Sequence, residues 1–418
     1  MDVYKKGLPS AATMEFALRH AGEDVAAMAL RREEAAGVDF TSALEQIAGR
    51  QAARLKLPTW AAMDGIVYPP RLSMEQCSSE ETARYKAGVA AGLAALCGGK
   101  GSMMDITGGF GVDFSFMAPL FGKAVYVERQ QALCDIVRNN LRVLGIGNAE
   151  VSCADGVAAL AGSGGCTLLY MDPARRDSAG QRTYSISDCT PDVLAMAGDI
   201  AVKCSFAMVK LSPMLDVGKV VSDFSSAGLR VSGLHIVSAR GECKEIVAVA
   251  DCREGVKEAG TEVFCADGGT LFKAVLGEGK TAPTYGRDLV AGLFLYEPNA
   301  AVMKSGAFGT LASVHNIRAI AANSHLFVSQ RFLAGFPGRK FKVEAVSSMN
   351  KKELAAKLYG VCRANVAVRN FPLKAEALRA RLGLKDGGGH YIFGTTDSRN
   401  RRLVLLCRKA EEHVSTQE

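Results

Sequence analysis

Tryptophan occurs once in these 418 residues, and the six histidines are scattered singly along the chain. Twelve cysteines are present, yet no two form a C-x-x-C pair or share ligand spacing with a histidine. A tetrahedral metal site needs clustered ligands, so no metal is expected, and the cysteines read as small reduced core residues. Long apolar runs are missing too. Stretches such as Cys166 to Met171 and Cys204 to Val209 fall far short of the roughly 20 residues that cross a bilayer, so no membrane association is expected. The N-terminus carries two lysines, but breaks at Gly7 and Pro9 and sets Glu15 where a signal peptide needs an apolar core, so the expected location is cytoplasmic. No internal repeat and no low-complexity tract interrupts the chain.

What is present is the composition of a folded protein: 48% of residues are hydrophobic and 22% charged. Such a length exceeds one hydrophobic core and implies two to four domains. The net charge of +7 is unevenly placed. Residues 331 to 418 hold 18 Lys plus Arg against 8 Asp plus Glu, or +10, which leaves 32 against 35, or −3, for the first 330. A basic terminal domain is the footprint of a polyanion binder, because each cation placed on a phosphate releases counterions. The bland alternative is a solvated basic surface.

Residues 11 to 56 space apolar side chains three and four apart in three segments separated by Gly22 and Gly37, predicting helices. Leu57 to Leu72, with three prolines and the lone tryptophan, reads as an extended connector. A helix follows in CSSEETARYKAGVAAGLAAL, where Ser78 and Glu81 have capping-box spacing. From Gly101 short apolar runs alternate with helical stretches, the pattern of a parallel sheet with crossover helices. Seven strands are expected: SMMDITG, AVYVER, AEVSCAD, TLLYMDP, FAMVKLS, GLHIVSA and EIVAVA. The link RGECK between the last two is too short for a crossover, so they should form an antiparallel hairpin at the sheet edge. Beyond Val256 two further small α/β units are expected.

The chemistry centres on DITGGFGVD, at the end of the first strand. Gly108, Gly109 and Gly111 let the backbone turn sharply and approach a ligand, with Asp105, Thr107 and Asp113 supplying polar groups around them. The second strand ends in Glu128 and Arg129, where a carboxylate can accept both ribose hydroxyls of a nucleoside. The third ends in Asp155 and Gly156, where a carboxylate can accept from an adenine amino group. A dinucleotide is disfavoured: the turn lacks G-x-G-x-x-G spacing, and Asp105 and Asp113 repel a pyrophosphate. A sulfonium amino acid with its cationic ammonium suits them, so the expected cofactor is S-adenosyl-L-methionine.

The fourth strand ends in Asp172, Pro173, Ala174, Arg175 and Arg176, facing the substrate side of a parallel sheet. This DPARR resembles the D-P-P-aromatic motif of amino-group methyltransferases, in which the acid and a proline carbonyl hold the nucleophilic nitrogen. Here alanine replaces the second proline and arginine the aromatic, so Arg175 or Arg176 is expected to stack on a base or hold a phosphate. Asp172 would orient the amine and accept its proton. Lys210, Glu242 and Lys244 are secondary candidates, each as readily an internal ion pair, and Cys243 reads as a bystander. The helix bearing Tyr85 and Lys86 is either a lid or a packing helix.

These segments, together with LPTWAAMDGIVYPPRL, VKLSPMLD, YEPNAAVMKSG and VRNFPLKAEALRARLGLKDGGGHYIFGT, resemble a family of bacterial class I methyltransferases whose C-terminal region is THUMP-like. The resemblance covers nearly the whole chain. It implies a Rossmann-like α/β sheet at 97–256 after a helical N-terminal region at 1–96, then a small ferredoxin-like domain at 257–335 and a basic domain at 336–418 similar to THUMP modules, which bind RNA. The expected activity is N-methylation of an RNA base. The alternatives are a noncatalytic RNA-binding protein that keeps the fold, and a small-molecule or protein methyltransferase.

Overall fold

A computed structural model describes residues 7–31, 36–175, 185–255, 259–279 and 281–411. The side chain of Arg175, and Arg176 altogether, lie outside the described residues, as does the second predicted helix beyond Arg31 as far as residue 35. The chain divides into two compact units, residues 1–232 with 246–259, and residues 233–245 with 260–418.

The first unit opens with the helices Ala11–Arg19, Val25–Arg31 and Phe40–Lys56. Ser10 caps the first by accepting from the Thr13 amide, and Asp39 caps the third by accepting from that of Ser42. Phe16, Met28, Ala43 and Ile47 form their common core. The stretch Leu57 to Leu72 is not the loose connector expected. It holds the short helix Pro58–Ala61 and runs into another, Arg71–Gln76. Trp60 is buried edge-on against Phe110, ring centres 5.0 Å apart. Two side-chain amides hold its backbone. The Tyr68 amide donates to Gln46 Oε1 (2.8 Å) while Gln46 Nε2 donates to the Tyr68 carbonyl (2.9 Å). Asn140 grips Val67 in the same two-way manner, both bonds at 2.9 Å. These bonds satisfy buried peptide groups as a neighbouring strand would.

The central sheet is built from β1 (Ser102–Asp105), β2 (Lys123–Glu128), β3 (Ala149–Cys153) and β4 (Cys166–Met171). A two-stranded ribbon follows, β5 (Ala174–Arg175) against β6 (Cys189–Thr190), and then β7 (Cys204–Leu211). After β8 (Val231–Ala239) the chain returns as β9 (Glu242–Asp251), antiparallel to β7. Within the first unit the order is β9-β7-β4-β1-β2-β3, parallel except for β9. Apolar side chains of these strands, among them Met103, Tyr126, Leu168, Phe206 and Val247, share a core with Phe114, Met117, Val137 and Leu141 of the crossover helices. All seven expected strands are present. Successive parallel strands place their carboxyl ends on one rim, where an open α/β sheet binds ligands.

In the second unit, residues of β8 pair in parallel with β10 (Glu262–Asp267), which turns at Gly268 and Gly269 into the antiparallel β11 (Thr270–Val275). The short link led to the expectation that the hairpin lies at the sheet edge, but β8 is not an edge strand, because β10 covers it. A second sheet takes β12 (Phe294–Pro298), β13 (Arg318–Ala319), β14 (Phe327–Ser329), β15 (Gly338–Ser348), β16 (Asn365–Arg369), β17 (His390–Thr396) and β18 (Arg402–Lys409) in the order β13-β14-β12-β15-β18-β17-β16. Both faces are packed. Leu403, Leu405 and Cys407 of β18 enter one core, and Val404 and Leu406 enter the opposite one beneath the helices Lys351–Lys357 and Ala375–Leu382.

Candidate active site

The turn after β1 is shaped by what its glycines leave out. A Cβ on Gly108 would stand 2.2 Å from the Tyr126 ring, and one on Gly156 would stand 2.1 Å from the Ile106 carbonyl oxygen. Gly109 and Gly111 lie at φ of 55° and 76°, a region that disfavours side chains. The Tyr126 hydroxyl donates to the Gly109 carbonyl at 2.5 Å. The first and second strand ends meet where the Gly109 amide donates to Glu128 Oε2 at 3.1 Å, while Glu128 Oε1 accepts from the Gln130 amide at 2.9 Å. Next to Glu128, Arg129 forms an ion pair of 2.5 Å with Asp155, which also caps the helix Gly156–Gly162 by accepting from the Ala158 amide at 2.9 Å. That backbone bond leads the influences that hold the Asp155 carboxyl below its ordinary value. Gly109, Glu128 and Asp155 thus belong to one cluster of touching loops.

Asp105 is only 2% exposed, and its Oδ1 accepts from the amide and the hydroxyl of Thr107 (2.9 and 3.2 Å). Burial pushes its carboxyl up to about 8, the Thr107 amide bond opposing and the charges of Asp113 and Asp172 adding to the rise. The Thr107 hydroxyl in turn accepts from the Asp172 amide at 2.7 Å, tying the end of β1 to that of β4. Asp172 is exposed, and its Oδ2 accepts from Lys210 Nζ at 2.6 Å, so Lys210 is an ion-pair partner of the substrate-side acid. Pro173 is buried, and the backbone of Ala174 and Arg175 is held in the ribbon with β6.

Asp113, expected among the cofactor ligands, has internal partners. Its Oδ2 accepts from the Ser78 and Tyr170 hydroxyls at 2.8 and 2.7 Å, and its Oδ1 lies 3.2 Å from Nζ of the wholly buried Lys86. Burial raises its carboxyl, but Lys86, Lys210 and the two hydroxyl bonds outweigh that and bring it below its ordinary value. Asp113 is thus tied to the protein's own side chains, its Oδ2 by two hydroxyls and its Oδ1 facing the Lys86 ammonium. The helix Glu80–Leu96 is thereby a packing helix and not a lid, with Ser79 as its cap, accepting from Thr82, since Ser78 is committed to Asp113. Glu242 and Lys244 pair with each other at 2.6 Å, and burial pushes the Cys243 thiol up to about 11, which keeps it unreactive. Among the described residues no three His, Cys, Asp or Glu side chains are grouped to hold a metal, and no helix is long and apolar enough to cross a membrane.

The electrostatics of the rim follow from these positions. Three carboxylates, Asp105, Asp113 and Asp172, stand close enough to influence one another, and two lysines, Lys86 and Lys210, answer two of them. Among the described residues no cation pairs with Asp105. Asp105, its carboxyl pushed up to about 8, becomes charged most readily beside a ligand that brings a positive group.

Residues 338–409 match the THUMP-like domain family, and residues 294–337 a ferredoxin-like domain family. Comparison with curated proteins finds no match. Among solved structures, a candidate methyltransferase from Porphyromonas gingivalis W83 is 29% identical, covers 96% of this chain and 98% of its own, and superposes with a TM-score of 0.81. A candidate RNA methyltransferase from Pyrococcus horikoshii is 14% identical over 46% of this chain and 95% of its own, with a TM-score of 0.35. An rRNA methylase from Streptococcus thermophilus is 15% identical over 40% and 93%, with a TM-score of 0.30. The chain thus has the Rossmann-like fold of S-adenosylmethionine-dependent methyltransferases, followed by a ferredoxin-like and a THUMP-like domain.

Proposed function

We propose that this protein transfers a methyl group from S-adenosyl-L-methionine to a nitrogen of an RNA base. One observation carries the reading: the glycine turn, Glu128 and the Arg129–Asp155 pair touch one another beside an acidic corner centred on Asp105. Such a corner suits the ammonium of an amino acid, Glu128 suits ribose hydroxyls, and Asp155 with Gly156 suits an adenine edge. The cradle around Gly108, Gly109 and Gly111 admits close approach by the rest of the molecule. When bound, the cofactor supplies a methyl group already activated on a sulfonium, so the protein is left mainly with alignment.

The protein's own contribution falls to Asp172 and the Pro173 carbonyl, which would orient the target nitrogen on the rim outside β4. Lys210 pairs with the Asp172 carboxylate, which would take the proton that the methylated nitrogen gives up. Arg175 and Arg176 would hold the base or its phosphate. RNA is favoured by the THUMP-like segment at 338–409 and by the +10 charge of residues 331–418. Only Asp113 drops out of the proposed ligand set.

Titration calorimetry with the cofactor is the first test, with binding near 1:1 expected. Labelled cofactor is then incubated with RNA from a strain lacking this protein and the modified nucleoside is mapped. Absence of cofactor binding removes the reading, and salt-dependent RNA binding without any turnover replaces it with a noncatalytic role.

A further inference from the structure

The second unit carries a row of side chains, set across one sheet face, in which cations outnumber the carboxylate that answers them. Pairing registers set Ser329, Phe294, Lys342, Arg408 and His390 directly opposite one another across β14-β12-β15-β18-β17. Residues so paired share a face. Further along that face Ile392, Val404 and Leu406 are buried beneath the helices Lys351–Lys357 and Ala375–Leu382, but at this end Lys342 and Arg408 are exposed. Phe294 is half-buried, with its ring 5.6 Å from that of Phe332. Lys340, opposite Tyr296 and so on the same face, lies 6.0 Å over the Phe332 ring and donates to the Ala334 carbonyl.

Two like charges placed opposite each other, Lys342 and Arg408, weaken a sheet. Among the described residues, the carboxylate paired with the row is Glu344, at the bulge between Val343 and Ala345. It bonds Arg408 at 2.7 Å and lies 3.8 Å from His390. Three cations against one acid leave a positive surplus next to two aromatic rings. Flat rings flanked by cations fit a chain of unpaired bases linked by phosphates, since every base has a face to stack, whereas a duplex hides those faces.

We infer that this row binds an unpaired segment of RNA, its bases against Phe294 and Phe332 and its phosphates on Lys340, Lys342 and Arg408. The inference rests on the RNA reading above and assigns it a place on the chain.

The full-length protein is titrated with a fluorescent oligouridine of about twelve nucleotides, within the site sizes of single-strand binders, over a range of salt. Lys342→Gln combined with Arg408→Gln should lower affinity and make the slope of log K against log salt shallower by about 1.4, from about 0.7 per lost phosphate contact. Phe294→Leu, which keeps the apolar bulk, should weaken binding on the order of 10-fold with the slope unchanged. Lys219→Gln, removing an exposed cation of the first unit, should change neither. Unaltered thermal melting shows that the variants are folded. Wild-type affinity and slope in the Lys342/Arg408 variant overturn the assignment, as does a wild type that binds an RNA hairpin duplex but no oligouridine. Loss of binding in the row variants of a wild type that methylates no RNA keeps this surface while removing the proposed function, so the two fail separately.

Discussion

Replacing Lys86 by methionine tests the buried network that fixes the start of the helix Val112–Met117. The ammonium is 0% exposed and stands 3.2 Å from Asp113, whose side chain is 10% exposed. Removing one member of a buried pair leaves the other charge uncompensated, which costs about 3–5 kcal/mol. At about 2–4 °C per kcal/mol for a unit of this size, the first thermal transition should fall by about 6 to 20 °C. The penalty should depend on pH. In the wild type the Asp113 carboxyl is depressed, so its contribution is present above its unfolded value and lost only as pH falls through the folded one. Without Lys86 burial prevails over the more distant Lys210, the carboxyl moves upward, and its contribution is lost as pH rises through the new folded value. The Lys86→Met deficit is therefore largest near neutrality and shrinks toward about pH 4. Adding Asp113→Asn should recover at least half of it, since the neutral amide oxygen still accepts from Ser78 and Tyr170. Chemical denaturation at several pH values reads the differences. A loss below about 1 kcal/mol, or one that does not vary with pH, refutes the argument.

Asp105, pushed up to about 8, favours the folded state fully below its unfolded value of 3.8, and that contribution is lost as pH rises through about 8; Asp105→Asn should flatten the decline, as denaturation series at pH 5 and 8 would show. A cofactor ammonium beside it should expel up to about one proton at pH 7, which calorimetry in buffers of different ionisation enthalpy measures. Gly156→Ala should cost about 1–3 kcal/mol, because the atom in its way is the Ile106 backbone oxygen, and a denaturant midpoint equal to wild type would contradict this. Asp172→Ala should slow methyl transfer about 100-fold or more in single turnover while cofactor affinity stays within a few-fold, and a parallel loss of both would place Asp172 in cofactor binding instead.

The strands were legible because each is a short apolar run closed by a turn residue, and the glycine turn because its acids and glycines are adjacent in sequence. What escaped depends on partners far away along the chain. Nothing near Val67 announces that Asn140, 73 residues on, will satisfy both its peptide groups. Ser78 and Ser79 are equally good caps by spacing, and only Asp113 decides between them. Whether the helix of Lys86 is a lid or a packing helix turns on an anion 27 positions later. The pairing of β10 with β8 was hidden for the same reason: an apolar run states that a strand exists, not which neighbour it takes.

The Thr107 hydroxyl joins two neighbours with different tasks, giving its proton to Asp105 and receiving the Asp172 amide. A displacement of a few tenths of an ångström on one side must be felt on the other, since a single oxygen serves both. Whatever settles against Asp105 therefore helps set the height of the acceptor at the far end of β4, and loading the first molecule would sharpen the reception of the second.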